Sequence, residues 1–220
     1  MFKTQVELVT GFIGSGKTTF ISSLLHETSV DDEKIVVLQL EKGQEELAGE
    51  MTKEANITYL TKEAESLTLS YLSHVLLLYE PDRLIIECNG MRVLDEMLFL
   101  LNDGKVKKRA FITTVFNLIE ASSFKVYWHN LKPILMPALN MSDMIIVTKS
   151  HKASENEKED LKNLLEEENT HAHILFANDT VHLKKVMNEC ALLDSGWFKA
   201  IRIKLSRQLK KIQVFKGEKG

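Results

Sequence analysis

The chain has 220 residues, of which 44% are hydrophobic and 27% charged, with a formal net charge of −3. These values suit one α/β domain with a small appendage and do not indicate a nucleic-acid partner. No run is long and apolar enough to span a membrane, and two cysteines do not make a disulfide framework. Residues 1–4 lead at once into a predicted strand, which leaves no room for a signal peptide, so a cytoplasmic location is expected.

The stretch after the first predicted strand fits the P-loop pattern G-x-x-x-x-G-K-[ST]. The strand is predicted at 5–10, and a helix follows from Thr18 to about Thr28. Glycines let backbone amides and the helix N-terminus surround a polyphosphate, while Lys17 can reach the β- and γ-phosphates and the Thr18 hydroxyl can ligate Mg²⁺. The predicted nucleotide contacts are Gly11, Gly14, Ser15, Gly16, Lys17, Thr18 and Thr19.

Strand and helix patterns alternate along the rest of the chain. Further strands are predicted at 34–40, 57–60, 83–87, 109–116, 144–147 and 174–176. Helices are predicted at 45–51, 67–79, 93–101, in pieces over 118–139 with breaks around Pro133 and Pro137, at 154–167 with a Ser154/Glu157 capping box, and at 181–190. The alternation Ile201, Ile203, Leu205 predicts a half-buried last strand.

This alternation predicts an α/β protein with the three-layer P-loop NTPase fold and a mainly parallel central sheet. Residues 1–193 are expected to form the nucleotide-binding domain, and residues 194–220 a short basic strand or tail. The last 22 residues carry eight Lys or Arg and one acid. A solvated edge strand with a frayed end is the favoured interpretation of that tail, and docking to an acidic partner or a membrane surface is the alternative.

Ligands of parallel sheets bind at the carboxyl ends of the strands, which gathers several candidates at one rim. Glu87 closes an apolar strand and can hold Mg²⁺ through water or polarise an attacking water; Glu41 is a second candidate for that role. Gly90 can bring its N–H to a γ-phosphate. Thr148 and Lys149, after a later strand, are expected near the purine. The alternative for Glu87 is a solvent-facing strand end.

Two segments resemble a known family. Residues 9–19 read VTGFIGSGKTT and residues 86–90 read IECNG, which is similar to the G-x-x-G-x-G-K-T-T and E-x-x-G signatures of the CobW/HypB/UreG GTPases. Residues 40–43, 114–117 and 142–149 resemble the N-E-F-G, V-V-D-A and N-K-x-D segments of its CobW-like branch. The resemblance covers roughly residues 5–190. It implies GTP with Mg²⁺, slow hydrolysis, and a role in delivering metal ions or assembling metalloenzymes with a client protein.

The chain departs from the CobW-like pattern at three places. The C-x-C-C motif is missing, because no cysteine precedes Cys88, and a thiolate site of that kind cannot form. His151 stands at the N-K-x-D aspartate, and a neutral imidazole offers one acceptor where the carboxylate accepts two bonds from guanine. Asn117 replaces the V-V-D carboxylate. GTP and ATP therefore both stay open, and the family's C-terminal domain is largely absent.

Three functions follow from these residues. The first is an NTP hydrolase, with Lys17, Glu87 and Glu41 as catalytic residues and Thr18 and Glu87 at the metal. It would work with a client protein, and a homodimer is one option for its assembly. The second is a non-catalytic nucleotide-binding module that regulates or scaffolds. The third is a small-molecule kinase, which the scattered arginines disfavour. A purine nucleotide is the common ligand, and neither nucleic acid nor a membrane span is expected.

Overall fold

A computed structural model describes residues 3–40, 56–63, 67–88, 92–189, 199–201 and 203. Within these residues a seven-stranded parallel sheet has the order β3-β2-β4-β1-β5-β6-β7. The strands are β1 Thr4–Gly11, β2 Ile35–Gln39, β3 Ile57–Thr61, β4 Arg83–Glu87, β5 Ala110–Glu120, β6 Met144–Thr148 and β7 His173–Phe176. The predicted fold class is confirmed.

Seven helices connect the strands within the described ranges. They are α1 Lys17–Thr28, α2 Leu69–Leu78, α3 Arg92–Leu101, α4 Gly104–Lys107, α5 Phe124–Asn140, α6 Glu155–Glu168 and α7 Thr180–Glu189. The predicted capping box is present, because the Ser154 hydroxyl accepts from the Glu157 backbone N–H while the Glu157 carboxylate accepts from the Ser154 N–H. The helix predicted at 45–51 lies outside the described residues.

Apolar side chains cover both faces of the sheet, which is why the strands are continuous hydrophobic runs. Successive residues of β4 alternate, with Leu84 and Ile86 in one core and Ile85 in the other. Helices α2, α3 and α4 cover the first face, while α1 and α7 cover the second. Around β6, helices α5 and α6 add Trp128 and Leu161 to a third cluster. The three layers hold the strand ends at fixed positions.

The structure differs from the predicted elements at three places. Strand β5 continues through Leu118 to Glu120, so the next helix begins only at Phe124, because these residues pair with β6 and β1. The break predicted around Pro133 is present as a kink at Leu131, which has φ −128°, whereas the helix continues through Pro137. Proline removes one backbone donor and crowds the preceding turn, which places the kink before the first proline. The short helix α4 was not predicted.

The predicted last strand is also wrong where it is described, since residues 199–201 and 203 are helical. Lys199 is buried and forms a 2.9 Å ion pair with Glu33, each side chain 1% exposed. Its ammonium also donates to the Thr28 carbonyl at 2.7 Å, while Arg83 donates to the Thr28 hydroxyl at 2.8 Å and to Glu7 at 2.6 Å. This polar network ties residue 199 to the C-terminal end of α1.

Burial lowers the pKa of Lys199, the charge of Arg83 acts in the same direction, and Glu33 opposes both. Loss of hydration is therefore only partly compensated by the buried carboxylate.

Candidate functional site

The loop between β1 and α1 depends on glycine backbone geometry. Gly11, Gly14 and Gly16 have φ of 144°, 78° and 90°, a region that residues with a Cβ adopt rarely. At Gly11 an added Cβ would lie 2.4 Å from the Leu118 carbonyl oxygen. The loop therefore packs its backbone directly against β5. Phe12 adds a ring contact to Tyr127 of α5, with centroids 4.6 Å apart.

Lys17, the first residue of α1, folds its side chain back into the loop. Its ammonium donates to the carbonyls of Gly11 and Phe12, each at 3.1 Å, and the residue is 5% exposed. No side chain caps α1, so the loop presents the first-turn N–H groups beside this buried charge. The Ser15 hydroxyl is buried and has no hydrogen-bond partner among the described residues. Such a concentration of donors fits a polyphosphate.

Glu87 lies directly beside the loop. Its carboxylate accepts from the Thr18 hydroxyl at 3.3 Å and from the Gln39 side-chain amide at 3.0 Å. The parallel register brings Gln39 and Val9 opposite Glu87, so three strand ends converge on one carboxylate. Glu87 is 1% exposed, and the alternative of a solvent-facing Glu87 is wrong.

The hydroxyl and carboxylate oxygens of Thr18 and Glu87 are hard donors of the kind that Mg²⁺ prefers, so this pair fits that ion.

Cys88 follows Glu87 and is fully buried. Burial raises the pKa of its thiol to about 12, Glu87 adds to the rise, and Lys17 opposes it. The thiol therefore stays protonated near neutral pH and is a poor nucleophile. Cys88 is therefore a small buried residue beside the site.

Thr148 and Lys149 reach the loop from the end of β6. The Thr148 hydroxyl donates to the Ser15 carbonyl at 3.0 Å, and the Lys149 ammonium donates to the Gly14 carbonyl at 3.1 Å. Glu120 pairs with Lys149 at 3.3 Å. Both predicted residues are thus brought to the loop, where they hold its backbone.

His151 lies in a 3₁₀ turn, Ser150–Lys152, after β6. Its Nδ1 contacts the Asn178 carbonyl oxygen at 2.7 Å. Since a carbonyl only accepts, Nδ1 carries the proton, and Nε2 is the single acceptor of the neutral ring. The Asn178 backbone N–H donates to His182 Nδ1 at 3.1 Å, and the Asn178 side-chain oxygen accepts from the Ser150 hydroxyl at 2.7 Å. His151 therefore occupies the position at which the N-K-x-D segment has its aspartate, and it offers one acceptor there.

Sequence reasoning missed three polar residues of this site: Gln39, Glu120 and Asn178. Gln39 is the last residue of an apolar strand next to Glu87. Its place at the strand end was the only feature of the sequence that could have identified it as a site residue. Glu41 and Gly90, also predicted here, lie outside the described residues.

Among the residues that the structure describes, no group of three or more His, Cys, Asp or Glu side chains is placed to hold a metal ion. None of the described helices combines the length and apolar character that crossing a bilayer requires.

A comparison with known protein families agrees with the assignment of this loop to a nucleotide-binding domain. A family model described as CobW/HypB/UreG, nucleotide-binding domain, matches residues 5–176. No curated protein matches the chain.

Solved structures share the fold at low identity. Zn(II)-bound YjiA GTPase from E. coli is 24% identical with a TM-score of 0.58, over 79% of this chain and 57% of that one. Hydrogenase maturation factor HypB from Archaeoglobus fulgidus is 16% identical with a TM-score of 0.58, over 84% and 87%. Signal recognition particle receptor FtsY from Elizabethkingia anophelis, in complex with GDP, is 15% identical with a TM-score of 0.55, over 84% and 60%. The chain thus spans little more than half of the YjiA chain that it matches.

Proposed function

The chain belongs to the CobW/HypB/UreG family, and from this we propose that it binds a purine nucleotide, GTP rather than ATP, and hydrolyses it slowly with Mg²⁺. The observation that carries the proposal is the cluster formed by the buried Lys17 and Glu87 and the partly buried Thr18 at the glycine loop. Lys17 and the loop amides would hold the β- and γ-phosphates, and Thr18 and Glu87 would hold the ion. Mg²⁺ bound there would neutralise phosphate charge.

The chain's own residues would act by positioning and electrostatics. When a phosphate binds, the Lys17 ammonium would leave the Gly11 and Phe12 carbonyls and donate to a phosphate oxygen. The charged phosphate is a stronger hydrogen-bond acceptor than a neutral carbonyl. Glu87, or Glu41, would orient the attacking water. Gly90 would donate its N–H to the γ-phosphate. No covalent step on the protein is required.

A metallochaperone-like or metalloenzyme-assembly role is the cellular task we propose for this cycle. It rests on the family and on two similar structures, a Zn(II)-bound GTPase and a hydrogenase maturation factor. The missing C-x-C-C motif means that thiolates of that motif do not hold the cargo. We propose that a client protein supplies the metal ligands.

The test is phosphate release by purified protein supplied with GTP or ATP and Mg²⁺, compared with Lys17→Ala. Lys162→Ala, on the exposed face of α6, is the control of equal charge change. We expect release by the wild type and the control, and little by Lys17→Ala, with binding weakened about 10- to 100-fold. Thr18→Val, which keeps the loop backbone, repeats the comparison should Lys17→Ala unfold. Wild-type release no faster than Lys17→Ala contradicts the hydrolase.

A second candidate is a nucleotide-binding module without turnover. It is favoured by the departures from the CobW-like pattern, namely the missing C-x-C-C motif and His151 at the aspartate position. Thermal unfolding with GTP, ATP and their diphosphates separates the two functions, since a bound ligand stabilises the fold by linkage whether or not it is hydrolysed. A nucleotide-dependent shift without phosphate release supports the module, and no shift with any purine nucleotide contradicts both.

A further inference from the structure

A cleft lies between α2 and α4, away from the loop at Lys17. Leu76, Leu77 and Val106 form its apolar wall, and Lys105, Lys108 and Arg109 stand around it; we name these six residues the basic cleft. It encloses about 370 Å³, within the ~300–1,000 Å³ range of ligand sites.

The positive charge of the basic cleft is concentrated in sequence. Residues 105–109 carry three lysines and one arginine. No ion pair involves these four side chains in the parts of the chain that the structure describes. The nearby Asp103 carboxylate instead accepts from the backbone N–H of Lys105 at 2.7 Å. A cationic cluster with so little compensation attracts anionic groups.

The surface beside these cations is apolar. Leu77 and Leu78 on α2 are 50% and 62% exposed. Large apolar side chains gathered at one surface are typical of interaction sites. A partner with both carboxylates and apolar side chains would satisfy both features at once.

Two other anionic partners fit less well. Single-stranded nucleic acid is bound through aromatic stacking platforms, whereas the wall of the basic cleft is aliphatic. A lipid surface requires a set of apolar side chains that project into the bilayer; Leu77 and Leu78 project, but Leu76 and Val106 of the apolar wall lie in the concavity and are 3% and 1% exposed. A peptide can place carboxylates on the rim and one apolar side chain in the hollow.

The position of the basic cleft leaves the nucleotide loop uncovered. It lies where the parallel strands begin, since Arg109 directly precedes β5 and α2 precedes the start of β4 at Arg83. The loop lies at the other end of β1 and beside Glu87, the last residue of β4. A strand of five residues spans about 16 Å, so one partner can dock while a nucleotide is bound.

We propose that the basic cleft binds an acidic segment of a partner protein, with carboxylates paired to Lys105, Lys108 and Arg109 and one apolar side chain against Leu77 and Val106. This site is independent of nucleotide binding, and its test does not require hydrolysis.

The experiment measures fluorescence anisotropy of a labelled peptide of glutamates with leucines at helical spacing, added to the full chain at low and moderate salt. A second peptide replaces every leucine with glutamine and keeps the charge. The double variant Lys105→Glu/Lys108→Glu reverses two of the three rim charges, and Leu77→Gln replaces one apolar side chain of the wall with a polar one. Lys162→Glu and Lys184→Glu, together, are the control of equal charge change outside the cleft. Circular dichroism checks folding, and Lys108→Gln repeats the charge test should the reversal unfold.

We expect saturable, salt-sensitive binding of the leucine peptide that falls about tenfold or more in both cleft variants and changes little in the control. The glutamine peptide should bind about tenfold more weakly. The proposal is overturned by no saturable binding, by equal binding of the two peptides, or by cleft variants that bind as the wild type does. Tighter, cleft-dependent binding of single-stranded DNA or of anionic vesicles also overturns it, in favour of that partner.

Discussion

The Thr18 hydroxyl donates to the Glu87 carboxylate at 3.3 Å, across the gap between the start of α1 and the end of β4. Gln39 holds the other oxygen of the same carboxylate at 3.0 Å. The group is therefore buried, oriented and supplied with donors before any ligand arrives. This arrangement allows the charge of Glu87 to be tested separately from the shape of the loop.

Glu87→Gln keeps the size of the side chain and removes its charge. We expect the gain in GTP affinity that Mg²⁺ provides to fall about tenfold or more, because a neutral amide oxygen is a weaker partner for the ion. Titration calorimetry with Mg²⁺ and with EDTA measures this gain. Glu167→Gln, on the exposed face of α6, is the matched control. An unchanged effect of Mg²⁺ would show that Glu87 does not serve the ion.

His151→Asp supplies the two carboxylate oxygens that guanine N1–H and N2–H₂ require. We expect the ratio of ATP to GTP dissociation constants to rise about tenfold or more, since hydrogen bonds to a charged acceptor contribute ~1.5–3 kcal/mol. Competition with a fluorescent nucleotide measures the ratio. His129→Asp, exposed on α5, controls for the change of charge. The same ratio in both variants would exclude position 151 from base recognition.

Gly11→Ala and Gly14→Ala separate a steric clash from backbone strain. At Gly11 the new methyl meets the Leu118 carbonyl at 2.4 Å, while at Gly14 nothing lies within 4 Å. We expect Gly14→Ala to lower the free energy of unfolding by about 1–2 kcal/mol and Gly11→Ala to lower it by more than about 3 kcal/mol. Urea unfolding measures both. Equal losses would mean that β5 moves away from Gly11 without cost.

Lys199→Met leaves Glu33 buried without its cation. We expect a loss of about 3–5 kcal/mol in unfolding free energy, largely recovered when Glu33→Gln is added. No recovery in the double variant would show that the pair is not the cause of the loss.

The contribution of Lys199 to the free energy of unfolding depends on pH, and the direction of its pKa shift gives the sign of this dependence. Its pKa is lowered in the folded chain by burial, so between that pKa and the ordinary value of about 10.4 the unfolded chain binds a proton that the folded chain does not. The contribution of Lys199 to stability therefore rises with pH across this window. Subtracting the unfolding free energies of Lys199→Met from those of the wild type isolates it. A difference that falls with pH would contradict the lowered pKa.

Cys88 should be inert in the folded protein. Its pKa is raised to about 12, against about 8.5 in an unfolded chain, so the thiolate fraction at pH 8 falls roughly a thousandfold. In a Cys190→Ser variant, with Cys88 as the sole thiol, labelling by a disulfide reagent should be slow until urea unfolds the chain. Rapid labelling of the folded protein would show that the thiol is accessible. The stabilisation that the protonated Cys88 thiol contributes to folding is complete below about pH 8.5 and is lost as the pH rises toward about 12.

The sequence predicted most of the strands because their signal is local. Runs such as 144–147 are apolar throughout, and the P-loop glycines fix a turn that few other residues allow. The end of β5 was missed because Leu118 and Ile119 suit a strand or a helix, and only pairing with β6 decides between them. Gln39 and Asn178 were missed because their partners are distant in sequence. Lys199 was assigned to a tail because a charged residue gives no sign of its buried partner.

Helix α1 starts with Lys17 inside the loop and ends with Thr28, whose hydroxyl and carbonyl are held by Arg83 and Lys199. Its 12 residues form a stiff rod about 18 Å long. A displacement of its first turn cannot be absorbed locally without straining these two contacts. The rod therefore mechanically links events at the glycine loop to residue 199, and hydrogen exchange at both ends of α1 should respond together.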